Sequence, residues 1–264
     1  MAQLNPLEIV KRLPRTNCGK CGYPSCLAFA MALVSGSTSP EKCPEADLGS
    51  LALPRKKESP EEDYHWRILE EVKARARDLS WEGLPEITGG VLTPQGLELA
   101  YLDGKVLITP EKAFRKDGVE LDPRDQILLY NYLLMARPEP LSGEFVGLES
   151  FPSSLSKVQT LRRYAEEKAA QEFSGRLSLL KKALTRFDTT FPEDCPADLC
   201  AVVRVLPKVP LRLQFFEAEP EEGLPAEVKI LFDRQALSFL DLESLVFCAE
   251  RLVERLLEVL EEES

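Results

Sequence analysis

Apolar positions change their period along this chain, and the changes mark out its elements. Residues 4–13, LNPLEIVKRL, put Leu7, Ile9, Val10 and Leu13 on one helical face, with Asn5 as cap, Pro6 at the first position and Pro14 as a stop. Cys26 to Val34 is apolar nearly all round and predicts a buried helix, opened by Pro24-Ser25 and closed by Ser35-Gly36-Ser37. A third helix opens at Ser59-Pro60-Glu61-Glu62 and runs to about Asp78, with a stripe of Tyr64, Ile68, Leu69 and Val72. The period then falls toward two. Gly90 to Pro94, Leu97 to Leu102 and Lys105 to Ile108 read as short strands, the last two joined by a two-residue hairpin at Asp103-Gly104. Asp122 caps a helix that starts at Pro123 and reaches about Ala136, with Ile127, Leu128, Tyr130, Leu134 and Met135 deep in the core. Residues 141–146 turn into a short strand, and 155–187 give two helical pieces split near Ser174-Gly175. Three further strands are Leu199 to Leu206, Val209 to Glu217 and Val228 to Phe232. In the second of these Leu211, Leu213 and Phe215 alternate with Arg212 and Gln214. A short helix at Leu237 to Leu240 precedes a long amphipathic one, Leu242 to Glu262, striped by Leu245, Cys248, Leu252 and Leu256. Strand runs and helix runs without regular βαβ alternation predict an α+β fold.

Punctuation sets the domain boundaries. Residues 51–62 hold two prolines and a block of charge, including Arg55, Lys56 and Lys57, and read as a solvated linker. Residues 1–50 then form a small, mainly helical module, and residues 63–264 a larger mixed domain of helices and antiparallel sheet.

Cysteine placement supplies the chemistry. Cys18, Cys21, Cys26 and Cys43 follow C-x2-C-x4-C-x16-C-P, with Pro44 behind the last. Three thiols come from one loop and the fourth returns after a helix-length gap. That arrangement suits an iron–sulfur cluster. Structural zinc is the rival, but it usually takes two short knuckles of two ligands each, and disulfides are weaker still. Gly19 and Gly22 can take positive φ and let the backbone curl around an inorganic core, with amides aimed at sulfur. Cys195 and Cys200, spaced C-x4-C, and Cys248 on the last helix read as structural thiols rather than a second metal site or a redox disulfide.

The stretch C-G-K-C-G-Y-P-S-C, followed by C-P, resembles the four-cysteine module of the corrinoid iron–sulfur protein large subunit, also found in the B subunit of the ion-pumping ferredoxin:NAD oxidoreductase. The resemblance covers about residues 3–50. It implies one [4Fe-4S] cluster ligated by Cys18, Cys21, Cys26 and Cys43. The stretches DPRDQILLYNYLL, SGEFVGLESF and VPLRLQFFEAEPEEGLPAEVKILFD resemble an uncharacterised α+β domain of anaerobic prokaryotes, over roughly 85–260. That resemblance implies no catalytic residues.

Charge narrows the partners. Lys+Arg is 33 against Asp+Glu 44, a formal net charge of -11. Such a chain is a poor ligand for nucleic acid or an anionic membrane surface. With no apolar leader and no run long enough to span a bilayer, the expected location is cytoplasmic. There is one histidine, His65, and no phosphate loop, dinucleotide fingerprint or nucleophile elbow. Three readings stay open: single-electron transfer to a redox partner such as a corrinoid protein or a ferredoxin-linked complex, reductive activation of a corrinoid held by another protein, and a non-redox binding module with a structural cluster.

Overall fold

The valine-rich run Leu199–Leu206 forms the strand that its pattern predicts, and it is one of the central strands of the larger sheet. The computed structural model describes residues 6–34, 38, 40–46 and 60–262, the side chains of 60–63 excepted. The Asn5 and Ser59 caps, the Ser35-Gly36-Ser37 stop and the basic linker residues lie outside that range. The chain divides into two compact units, Met1–Trp66 and Arg67–Ser264. Helix α3, Pro60–Ala76, runs across that division.

In the larger unit, four strands form an antiparallel meander: β1 Val91–Thr93, β2 Gly96–Tyr101, β3 Gly104–Ile108 and β4 Ala113–Arg115. A second, five-stranded antiparallel sheet has the order β5-β9-β8-β7-β6. Its strands are β5 Phe145–Val146, β6 Thr189–Thr190, β7 Leu199–Leu206, β8 Val209–Phe216 and β9 Glu227–Asp233. Leu211, Leu213 and Phe215 pair with Val203, Ala201 and Leu199 on the buried face. Helices α4 Leu84–Thr88, α5 Pro123–Met135, α6 Leu155–Leu161, α7 Glu167–Phe173, α8 Leu177–Leu184 and α9 Leu242–Glu262 complete an α+β fold. The stripe Leu245, Cys248, Leu252 and Leu256 of α9 is fully buried, as its period dictates. Among the described residues no helix is long and apolar enough to cross a membrane.

Buried polar groups lock the elements together. Asp122 caps α5 by accepting the Arg124 amide at 2.8 Å. One turn in, Asp125 accepts the Tyr101 hydroxyl at 2.7 Å and the Arg251 Nε at 2.7 Å, tying β2, α5 and α9 together. Arg255, the next turn of α9, forks onto Asp103 at 3.0 and 2.9 Å. The buried Asp233 carboxylate accepts the Ser142 and Gly143 amides, the Ser142 hydroxyl and the Gln235 amide, which fixes the turn into β5.

The hairpin lies one residue earlier than the Asp103-Gly104 signal predicts. Gly104 pairs with Tyr101, so Leu102 and Asp103 form the turn, and Leu102 takes φ +53°. Two tertiary contacts explain it: the Leu102 amide donates to the Val205 carbonyl at 2.9 Å, and Arg255 holds Asp103. The helical piece after 155 also differs. It carries a π-helical turn at Arg162–Glu166, a feature that local propensity does not encode. This turn delivers the Glu166 carboxylate to the Ile230 amide at 2.9 Å, where β9 has run past its two-residue neighbour β5. Burial pushes the Glu166 carboxyl up. The folded state therefore holds that proton more tightly than the unfolded chain, and stability falls as pH rises from the ordinary glutamate range through the raised value. Glu166→Gln keeps an oxygen for Ile230 and removes the titration. We expect urea unfolding of this variant at about pH 4 and about pH 8 to differ less than in the parent, with a gain of ~1 kcal/mol or less at the higher pH. An unchanged pH dependence sinks the assignment.

One cysteine expectation is corrected. Cys195 and Cys200 form a disulfide, with Cα atoms 5.5 Å apart, rather than a pair of free thiols. The loop 191–198 folds back so that Cys195 meets Cys200 on β7, a juxtaposition that C-x4-C spacing permits but does not require. Cys248 is a buried free thiol, as expected, and burial pushes its ionisation up.

Candidate metal centre

The small unit is built on two short helices, α1 Pro6–Val10 and α2 Cys26–Val34. Helix α1 stops sooner than its apolar face predicts, though Leu13 still packs inward. Ile9, Leu13, Phe29, Ala30 and Leu33 form a separate core, and Cys43 is buried within it. Half-buried Cys21, Tyr23 and Cys26 pack against the same core. Helix α2 is not buried all round: Leu27 and Met31, one turn apart, are 44% and 57% exposed. Two short helices cannot cover every face of an apolar rod.

Local chemistry shapes the loop between the helices. The Ser25 hydroxyl accepts the Ala28 amide at 3.0 Å and caps α2. Asn17, at φ +48°, accepts the Cys26 amide at 2.8 Å and so ties the loop's start to the helix N-terminus. Gly19 and Gly22 take φ +72° and +81°, and the Gly22 amide donates to the Gly19 carbonyl at 2.9 Å. A Cβ built on either glycine meets nothing within 4 Å. Substitution there costs backbone strain without a clash. Gly22→Ala is expected to lower the unit's stability by ~1–2 kcal/mol, with Gly22→Asn costing less, by thermal or chemical unfolding. Equal losses for the two variants count against this conformation.

The sulfurs occupy graded environments. Cys18 is exposed, Cys21 and Cys26 are half-buried, Cys43 is buried, and all four are free thiols. The nearby Lys20 amide, and after it the Thr16 hydroxyl, hold the Cys18 thiol below its ordinary range. A Lys20–Glu45 ion pair at 2.6 Å links the loop to the segment that brings Cys43 back. Both side chains are well exposed, so the pair contributes little energy. Among the described residues no three His, Cys, Asp or Glu side chains gather closely enough to hold a single metal ion. A four-iron cluster sets a different requirement, one thiolate per iron. Four free thiols and an open loop with two positive-φ glycines fit such a group.

Some residues that organise the larger unit were not singled out from the sequence. Asp125, Arg251 and Tyr101 line a cavity of about 760 Å³, as do Asp103 and Arg255. The signal available for them was a carboxylate in the first turn of α5 and two arginines four apart on α9. Both arginines are already bound to carboxylates. His65, on α3, only edges the Tyr64 ring at 5.8 Å.

Comparison with known proteins divides the chain along similar lines. An Fe-S cluster family matches residues 13–45. Over 41 residues the chain is 61% identical to the corrinoid/iron-sulfur protein large subunit of Moorella thermoacetica, covering 16% of this chain and 9% of that protein. It is 45% identical over 51 residues to the acetyl-CoA decarbonylase/synthase complex subunit gamma of Methanopyrus kandleri, 19% of this chain and 11% of that one. The corresponding subunit of Methanocaldococcus jannaschii is 40% identical over 55 residues, 21% and 11%. The chain thus spans about a tenth of the length of these curated relatives. No solved structure matches it. The N-terminal module is that of an iron–sulfur protein. A second family model covers residues 82–255, from the turn before α4 into α9, and by that match the chain belongs to the family described as domain of unknown function DUF3786.

Proposed function

We propose that Cys18, Cys21, Cys26 and Cys43 ligate one [4Fe-4S] cluster and that the chain passes single electrons to a redox partner protein. The observation that carries this reading is the set of four free thiols on one small helical unit, three on the loop before and into α2 and one on the return. Such a cluster supplies one-electron chemistry. Gly19 and Gly22 let the loop wrap, the Lys20 amide and Thr16 hydroxyl offset charge on Cys18, and Cys43 anchors the set to the core. Cys18 is the exposed thiol of the four, which supports an electron exit on that side of the loop. The working division is a cluster module over 1–50, a linker over 51–62 and an α+β domain over 63–264 that selects the partner, in an anaerobic cytoplasm.

Likeness to the corrinoid/iron-sulfur protein favours a second reading, in which the electron reductively activates a corrinoid held by another protein. Anaerobic purification tests both. A brown protein with about four irons and broad absorption near ~400 nm that dithionite bleaches supports electron transfer. A colourless protein with one zinc overturns both, and a cluster inert to dithionite leaves only a structural role. Electron delivery to a corrinoid protein but not to a ferredoxin selects the second reading.

A further inference from the structure

The loop 191–198 joins edge strand β6 to β7 and folds back over the sheet face that points away from the core. Cys200, Val202 and Arg204 of β7 occupy that face, opposite Gln214, Arg212 and Pro210 of β8. Arg212 is therefore a diagonal cross-strand neighbour of Cys200, a position within reach of a long side chain. The two sulfurs of the disulfide differ. Cys195 sits half-buried on the loop, whereas Cys200 is 3% exposed. Arg212 lies beneath the loop with 16% of its side chain exposed, and its Nη2 donates to the Asp194 carbonyl. Its Nε is buried and, among the described residues, has no hydrogen-bond partner. The guanidinium is ion-paired with the Asp194 carboxylate at 3.7 Å, yet a buried N–H left unpaired on the strand next to Cys200 is costly unless it serves the charge that appears when the disulfide opens.

We propose that Cys195–Cys200 is a thiol–disulfide exchange site that takes two electrons from a dithiol donor, with Cys195 as the attacked sulfur and Arg212 as the positioning residue that stabilises the departing Cys200 thiolate. A donor thiolate attacks the accessible Cys195 Sγ. The Cys195–Cys200 bond breaks, its electron pair leaves on Cys200 Sγ, and a mixed disulfide joins donor and Cys195. The donor's second thiolate then attacks its own sulfur in that mixed disulfide and releases Cys195. The donor is oxidised to a disulfide, the protein is reduced to two thiols, and the donor's two protons end on Cys195 and Cys200. Exchange of this kind speeds up as the leaving thiol becomes more acidic, and a neighbouring arginine makes it so. Opening also frees the loop from β7, leaving its hold on β8 through Arg212. The site belongs to the larger unit, and its chemistry uses none of the four cysteines of the small unit.

The test uses the full chain, kept anaerobic, with dithiothreitol and glutathione as probes. Alkylation and mass analysis of the tryptic peptide 187–204, which contains Cys195 and Cys200 and no other cysteine, separate this site from the cluster thiols. In the folded protein dithiothreitol is expected to open the bond and oxidised dithiothreitol to close it. With oxidised glutathione, Cys200→Ser should take one glutathionyl group onto Cys195 and release one reduced glutathione, while Cys195→Ser should react at Cys200 at least ~10-fold more slowly. Arg212→Met should slow reduction by about tenfold, and Arg212→Lys should restore most of the rate. The direction separates the roles: if Arg212 merely clamps the loop through Asp194, its loss exposes Cys195 and speeds reduction. An Arg212→Met rate equal to or faster than the parent's overturns the proposal. So does a disulfide that opens only when the chain unfolds, or a peptide that keeps two free thiols under oxidised dithiothreitol.

Discussion

Cys43→Ser is expected to strip most of the iron from the protein. Cys43 is the one motif cysteine buried in the core of the small unit, so its sulfur is the least able to be replaced by solvent or by a shifted neighbour. Loss of a group that only supports a metal ligand typically weakens retention by ~10–100-fold, and loss of a ligand should exceed that. The measurement is iron per chain together with absorbance near ~400 nm after anaerobic reconstitution. Cys248→Ser is the control. It puts a hydroxyl into the fully buried stripe of α9 and should cost ~1–3 kcal/mol of stability while leaving the iron count intact. If both variants lose iron equally, the loss reports general unfolding and the ligand assignment falls.

The second large effect lies in the other unit. Asp125→Ala should destabilise the fold by ~1–3 kcal/mol, because it removes the buried acceptor of two Arg251 hydrogen bonds and leaves that guanidinium only its contacts with Glu254 and Glu258. The Asp125 and Arg251 side chains are only 6% and 13% exposed, and the Tyr101 hydroxyl loses its acceptor at the same stroke. By contrast Lys11–Glu8, with both side chains about 60% exposed, should contribute less than ~1 kcal/mol. Arg251→Met alone should also be costly. The Asp125→Leu/Arg251→Met pair should cost much less than the two single changes together, because neither charge is then left unpaired. Chemical unfolding of the four proteins makes the comparison, and strictly additive losses would show that the two groups do not act as a pair.

Much of the fold was legible because burial and period coincide. Helix α2 and strand β7 begin and end where their apolar runs do, and α9 buries the four residues of its stripe. What escaped the sequence was decided by distant partners. The hairpin slid by one residue because Val205 claims the Leu102 amide and Arg255 claims Asp103. The π-helical turn brings Glu166 to the Ile230 amide on β9, a partner 64 residues away. The face of α2 carrying Leu27 and Met31 read as buried because periodicity reports apolarity and not the number of neighbours available. For the candidate centre, spacing picked out the thiols and glycines, and Gly19 and Gly22 do take positive φ. The Asn17 and Lys20 contacts that shape the loop, like the closure of Cys195 on Cys200, needed coordinates.

Helix α9 also sets an order of events in biosynthesis. Its arginines clamp Asp125 and Asp103, partners 126 and 152 residues upstream, so the larger unit cannot close until the helix has been made. Between Cys43 and Leu242 lie 198 residues. At ~5–20 residues per second the ribosome needs about 10–40 s to add them. Through that interval the four motif cysteines are already made, attached to a larger unit that has not yet closed. The small unit, which has a core of its own, is thus made ~10–40 s before the larger unit can close.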